Sequence, residues 1–294
     1  EGYDPDYSAA LASAASLLGP MIPPSITLIV YAGLTEASVQ KLFLATLTPA
    51  ILCTVAFLAY TLWYGKKNNL PKQPKKTAKE AGKIMLDAIW ALLLPVIVLG
   101  LIFSGATTVT EAAAVSCLYS AVVSLFIYKT ITFKDLLKIL GDSAVSIAAI
   151  MILVGMSKAT AYVVTSSQMP QLFMEFVTSI TSSRFVVLLI INVIFLILGC
   201  LMEGNCIIVM MVPLLLTLVK SFGIDLLQFG VMSAINIYIG CITPPVGVSL
   251  LLGCKLGKTS VGGTFKAILP FFAISMVILI LVTYWPSFTL WLIH

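Results

Sequence analysis

Two stretches of this sequence combine residue types that free backbone oxygens inside apolar helices. Gly19-Pro20-Met21-Ile22-Pro23-Pro24 interrupts the run 5–33, and Thr243-Pro244-Pro245-Val246-Gly247 interrupts the run 225–257. A Pro-Pro pair lacks two N–H groups, so two upstream carbonyls lose their helical donors. Freed carbonyls cannot face lipid; they need protein, water or an ion. Carbonyl oxygens are hard ligands, suited to hard cations such as Na⁺. The half-helix that starts after each break would also turn a positive dipole end toward a carboxylate. One such break taken alone is as readily a simple kink; a repeated pair favours binding.

A third interruption, Glu203-Gly204-Asn205, divides the apolar run 184–220. An acid in so apolar a run is costly unless it has a partner. Arms of about 16 residues are slightly short for a crossing, which fits a re-entrant helical hairpin. Glu203 could ligate through its side chain, the tip could act only through its carbonyls, or Glu203 could simply be solvated. Lys158, Asn192 and Asn236 also lie in apolar stretches, and Lys158 could snorkel or pair with an acid elsewhere in the polypeptide. Thr108 and Glu111 have the spacing of a capping box.

The two Pro-Pro breaks belong to an internal repeat. At an offset of 221 residues, without a gap, Gly2 falls on Gly223, Asp4 on Asp225, Gly19 on Gly240, Pro23 on Pro244, Pro24 on Pro245 and Pro49 on Pro270. Glycine and proline fix backbone path, so these matches mean more than shared hydrophobicity. The copies lie in 1–65 and 222–286. The residues that precede the second copy have no counterpart before Glu1, so we expect the intact polypeptide to extend upstream.

The elements that must position these breaks are membrane helices. Of 294 residues, 60% are hydrophobic and 10% charged, against roughly 25% charged in a soluble domain. Mean hydropathy is +1.09. The pattern predicts an all-α polytopic membrane protein. Its parts are an end of a first repeat (1–65), a basic loop (66–83), spans and an interfacial helix (84–183), a hairpin with a broken helix (184–257) and a last span (258–294). Within the third part, 84–104, 109–128 and 143–165 read as spans. In 168–180, Met169, Leu172, Phe173 and Phe176 repeat at helical spacing, as in an interfacial helix.

Charge orients the chain. The net charge is +5, and Lys66, Lys67, Lys72, Lys75, Lys76, Lys79 and Lys83 crowd one stretch against Glu80. We take this as a cytoplasmic loop rather than a nucleic-acid patch. Walking from it places 129–142 and Lys255, Lys258 and Lys266 inside, and 166–183 outside. Asp4 then lies inside and Asp225 outside, so the copies run in opposite directions, as in the inverted repeats of secondary transporters.

Enzyme chemistry finds little support. The single histidine is His294, no HExxH occurs, and the six cysteines lack CxxC spacing and mostly sit in apolar runs. No metal cluster, disulfide framework or organic cofactor is expected. A channel is the harder class to set aside, although broken inverted repeats favour alternating access.

Gly2-Tyr3-Asp4 followed by Gly19-Pro20-Met21-Ile22-Pro23-Pro24-Ser25 resembles the large membrane (M) subunit of the tripartite ATP-independent periplasmic (TRAP) transporters. So do Thr110-Glu111-Ala112-Ala113-Ala114, Gly223-Ile224-Asp225, Phe229-Gly230-Val231, Thr243-Pro244-Pro245-Val246-Gly247 and Leu269-Pro270-Phe271. Val109 stands where the family usually has proline. The resemblance covers essentially the whole chain. It implies an elevator-type transporter with a scaffold, two hairpins and two broken helices, in a bacterial inner membrane. It also implies a small membrane partner (Q), a periplasmic substrate-binding protein, and Na⁺-driven uptake of organic acids such as C4-dicarboxylates or sialic acid. One Na⁺ site would use Gly19, Ile22 and Pro24. The other would use Gly199, Met202, Glu203, Gly204, Gly240, Thr243 and Val246. Substrate would lie between the hairpin tips, near Ser25, Asn205, Pro244 and Pro245. An autonomous Na⁺/carboxylate carrier is the alternative.

Overall fold

The structure is a computed structural model that describes residues 3–70 and 77–293. Gly2 of the repeat and Pro71, Lys72, Pro74, Lys75 and Lys76 of the basic loop lie outside the described residues, as does the Lys158 side chain.

All regular structure among the described residues is helical. The first broken helix consists of α1 (Pro5–Ser16), α2 (Leu18–Met21) and α3 (Ile26–Thr35), followed by α4 (Val39–Lys67). Then come α5 (Ala78–Phe103), α6 (Val109–Val122) with a π turn at Val123–Ile127, α7 (Phe133–Ser166) and α8 (Met169–Ile180). The hairpin is α9 (Arg184–Leu201) and α10 (Gly204–Ser221). The second broken helix is α11 (Leu226–Cys241) and α12 (Val248–Gly257), and α13 (Val261–Tyr284) and α14 (Pro286–Leu290) end the chain. Seven helical segments among the described residues are long and apolar enough to cross a membrane. This is a multi-pass membrane protein.

Contacts divide the chain into two compact units, Glu1–Pro71 with Val154–His294, and Lys72–Leu153. In the second unit, α5 and α6 pack together, and the Tyr119 and Tyr128 hydroxyls donate to the Trp90 and Asp87 carbonyls, both at 2.7 Å. The capping box at Thr108 forms as expected: Glu111 accepts from the Thr108 N–H at 2.7 Å, and Thr108 Oγ1 accepts from the Glu111 N–H at 3.3 Å. A second box, Thr77 with Glu80, starts α5. Hydrogen bonds from Thr77, its backbone N–H first, hold the Glu80 carboxyl below its ordinary range.

Several boundaries differ from the sequence reading. The basic loop is shorter than 66–83, because α4 runs on through Lys67 and α5 already begins at Ala78. Lys67 continues the helix and lies 4.8 Å from the centre of the Trp63 ring. The polar stretch 129–142 is mostly the start of α7, which the Thr132–Asp135 pair caps. Each hairpin arm has 18 residues, about 27 Å at 1.5 Å per residue, longer than expected. α8 forms where an interfacial helix was expected, with Met169, Leu172, Phe176 and Ile180 exposed and Pro170 and Val177 buried.

In the first unit, α13 packs against α1 and α4. Phe271 is the hub, edge-on to Phe57 and Tyr60 at 5.1 and 5.0 Å, while Tyr7 stacks on Tyr64 at 3.8 Å. Asn192 and Asn236, both in apolar helices, prove to be each other's partners. The Asn236 amide donates to the Asn192 side-chain oxygen at 2.7 Å and backbone oxygen at 2.8 Å, and the Asn192 amide donates to Thr283 Oγ1 at 3.1 Å. Side-chain pairing of this kind joins helices where no water is present to compete. Buried Gln228 adds a second tie, donating to the carbonyls of Val282 and Thr283 at the end of α13.

Candidate functional site: two helix breaks and a hairpin tip

The two broken helices match in detail. Asp4 and Asp225 both cap a first half-helix, accepting from N–H groups two residues on. Both are followed by a break with a cis prolyl bond, Pro23–Pro24 in one and Pro244–Pro245 in the other. Pro49 and Pro270 then occupy corresponding places inside α4 and α13.

Their mutual direction follows from which residues touch. Along α1, Ala9 lies against Gly257 and Gly253, and Ser13 lies against Gly253 and donates to the Ser249 carbonyl at 3.1 Å. Along α3, Thr27 bonds Tyr238, and Tyr31 lies against Gly230 and donates to the Leu226 carbonyl at 2.6 Å. In both pairs the partner number falls as the first number rises. The broken helices therefore run antiparallel, α1 beside α12 and α3 beside α11. Two copies of one motif lying antiparallel are inverted repeats. The same register sets the break after α2 at the level of the break after α11.

The hairpin closes on the second break through glycine. A Cβ on Gly240 would stand 2.5 Å from the Gly199 Cα and carbonyl carbon, and a Cβ on Gly199 would stand 2.6 Å from the Ile237 oxygen. Only glycine at both positions lets α9 and α11 cross backbone to backbone. Just beyond, the Gly247 N–H donates to the Cys200 carbonyl at 3.0 Å. Gly247 has φ +46°, a left-handed turn in which a Cβ would also stand 2.7 Å from the Thr243 oxygen.

The break chemistry is close to expectation, with one difference. Pro23 and Pro24 carry no N–H, so the Gly19 and Pro20 carbonyls lack their helical donors. In the second break, Gly240 recovers a partner: its carbonyl accepts from the Thr243 N–H at 2.8 Å. The chain tightens by one residue there and satisfies one of the two oxygens. The Thr243 hydroxyl donates to the Ile239 carbonyl at 2.8 Å, which leaves its lone pairs free to accept a cation.

The tip is built around the Glu203 carboxylate. Glu203 is exposed and caps α10, one oxygen accepting from the Asn205 and Cys206 N–H groups at 3.1 and 3.2 Å. Its other oxygen accepts from the Asn205 amide at 2.8 Å. The acid in the apolar run is thus partnered by its own helix N-terminus rather than only by solvent. Among the described residues no three His, Cys, Asp or Glu side chains cluster, so a cation here would rest mainly on carbonyl and hydroxyl oxygens.

The sequence model described as "Tripartite ATP-independent periplasmic transporter, DctM component" matches residues 1–288. The chain belongs to this family. It is 37% identical over 289 residues to the C4-dicarboxylate TRAP transporter large permease protein DctM of Pseudomonas aeruginosa, covering 98% of this chain and 68% of that protein. It is 33% identical over 288 residues to the sialic acid TRAP transporter large permease protein SiaM of Vibrio cholerae, covering 98% of this chain and 67% of that protein. The isethionate TRAP transporter permease protein DctMQ of Oleidesulfovibrio alaskensis is 33% identical over 287 residues, 97% of this chain and 45% of that protein.

In this family member the fold brings the second predicted group together. Gly199, Gly204, Gly240 and Thr243 lie where α9, α10 and α11 meet, Gly204 against Ile237 and Tyr238. Met202, Glu203, Pro245 and Val246 are exposed at the same end. In the first group, Gly19, Ile22 and Pro24 are exposed at the first break, while Ser25 is buried and caps α3 through the Leu28 N–H. Two residues escaped the sequence reading. Thr27 and Tyr238 hydrogen-bond each other at 2.5 Å, and Thr27 donates to the Asn205 oxygen at 3.0 Å. Their only sequence signal is a hydroxyl within an apolar helix.

Proposed function

We propose that this chain forms the membrane core of a Na⁺-coupled secondary transporter. It imports an organic acid of the C4-dicarboxylate or sialic acid type across a bacterial inner membrane. A periplasmic binding protein delivers the acid, and a small membrane subunit (Q) accompanies the chain, as the fused name DctMQ of one relative suggests. The observation that carries this reading is the pair of matched breaks, set level in antiparallel helices with a hairpin tip against one of them. Family membership and the substrates named for the relatives support the cargo class.

In this reading one Na⁺ rests on the freed oxygens of Gly19, Ile22 and Pro24. A second rests on oxygens of Gly199, Met202, Glu203, Gly204, Gly240 and Val246, with the Thr243 hydroxyl as the side-chain ligand. The carboxylate cargo lies beside Ser25, Asn205, Pro244 and Pro245, where the N-termini of α3 and α12 offer N–H groups and positive dipole ends. Alternating access comes from elevator-type movement of the broken helices with the hairpin.

Uptake of labelled organic acids into proteoliposomes holding the full polypeptide and its small partner tests this. We expect uptake only with an inward Na⁺ gradient and binding protein outside. Uptake with Na⁺ alone would place the protein among autonomous carriers, and uptake indifferent to Na⁺ would remove the coupling.

A further inference from the structure

The hydroxyls of Thr27 and Tyr238 form a directed chain that ends on the hairpin tip. Thr27 is buried, and its oxygen lies 3.0 Å from Asn205 Oδ1 and 2.5 Å from the Tyr238 oxygen. Asn205 Nδ2 faces the Glu203 carboxylate at 2.8 Å. A carboxylate accepts only, so it takes the amide N–H, and Oδ1 must then accept from Thr27. Thr27 has one proton, so Tyr238 donates to Thr27. Each proton has one place: Tyr238 to Thr27, Thr27 to Asn205, Asn205 to Glu203.

This chain spans three elements, α11, α3 and the start of α10. At the offset of 221 residues, the counterparts of Tyr238 and Thr27 are Leu17 and Val248, whose side chains cannot hydrogen-bond. The symmetry-related contact between the copies, α1 beside α12, therefore forms without such a pair. Its presence at the α3–α11 contact, beside the hairpin tip, assigns it to the tip.

We infer that Thr27 and Tyr238 are positioning residues that latch the hairpin tip onto both broken helices, setting how readily the tip lifts from the second break. The latch deepens the proposed transport reading and rests on it for its purpose, although its geometry stands alone. Lifting the tip exposes the neighbouring Cys206, which is half-buried with the tip closed.

The test is maleimide labelling in membranes of the full polypeptide with its partner, read at the Cys206 peptide by mass spectrometry. Thr27→Val and Tyr238→Phe are expected to label Cys206 roughly fivefold faster, as loss of one net hydrogen bond would give. Thr27→Ser should restore the slow rate, and buried Cys241 should stay unlabelled throughout. Unchanged Cys206 labelling would overturn the latch, as would equal gains at Cys206 and Cys241, which would signal general loosening. Faster Cys206 labelling together with Na⁺-indifferent uptake would keep the latch and reject the coupling.

Discussion

We expect Gly240→Val to abolish uptake and to lower the thermal midpoint of the protein in detergent. The nearest atoms to a Cβ at this position are the Gly199 backbone at 2.5 Å and the Cys200 nitrogen at 2.9 Å. Backbone cannot rotate aside as a side-chain end can, so α9 must move off α11. Overpacking of this kind costs about 3 kcal/mol, the upper end of the usual range. The damage reaches function, because the same crossing seats the tip on the break. Gly33→Ala is the matched control, since a Cβ there meets nothing within 4 Å. Uptake and melting of both variants check this; a Gly240→Val protein with wild-type uptake would show that the crossing tolerates separation.

Thr243→Val has the second large effect, of a different kind. The substitution keeps the branched shape and removes the hydroxyl that we propose as the only side-chain ligand of the second Na⁺. Because cation affinity follows the number of oxygen ligands, we expect roughly a tenfold rise in the Na⁺ concentration needed for half-maximal uptake. Thr243→Ser, which keeps the oxygen, should stay near wild type. The hydroxyl also donates to Ile239, so a purely structural role would lower the maximal rate and leave the Na⁺ dependence in place.

Much of the fold can be read from residues that constrain backbone. Paired prolines, a capping aspartate and an in-helix proline recur at one offset because each fixes a local shape, and the structure repeats those shapes at the same places. Charge gave the inverted orientation, and the antiparallel contacts of Ser13 with Ser249 and Thr27 with Tyr238 agree with it. Helix ends were less legible. Lys66 and Lys67 marked a loop by charge, yet lysine is a good helix former and α4 carries both.

The site was legible in outline only. Gly199 and Gly240 stood out as glycines near interruptions, but their close crossing depends on how α9 lies across α11, which no local pattern encodes. Glu203 stood out as costly, and its answer lies in the Asn205 and Cys206 N–H groups and in the Asn205 amide. Thr27 and Tyr238 were silent because a hydroxyl in an apolar helix usually bonds its own backbone, as Ser233 and Ser275 do here. Asn192 and Asn236 were conspicuous separately, and only the packing of α9 on α11 shows them as a pair.

The most direct test of Na⁺ coupling at the breaks is a thermal melt of the purified protein across Na⁺ and K⁺ concentrations at constant ionic strength. A ligand that binds only the folded state raises the melting temperature with its concentration. The account predicts that Na⁺ raises the midpoint in a saturable way, that K⁺ does not, and that Thr243→Val needs more Na⁺ for the same rise. Equal curves in Na⁺ and K⁺ for the wild-type protein would contradict it.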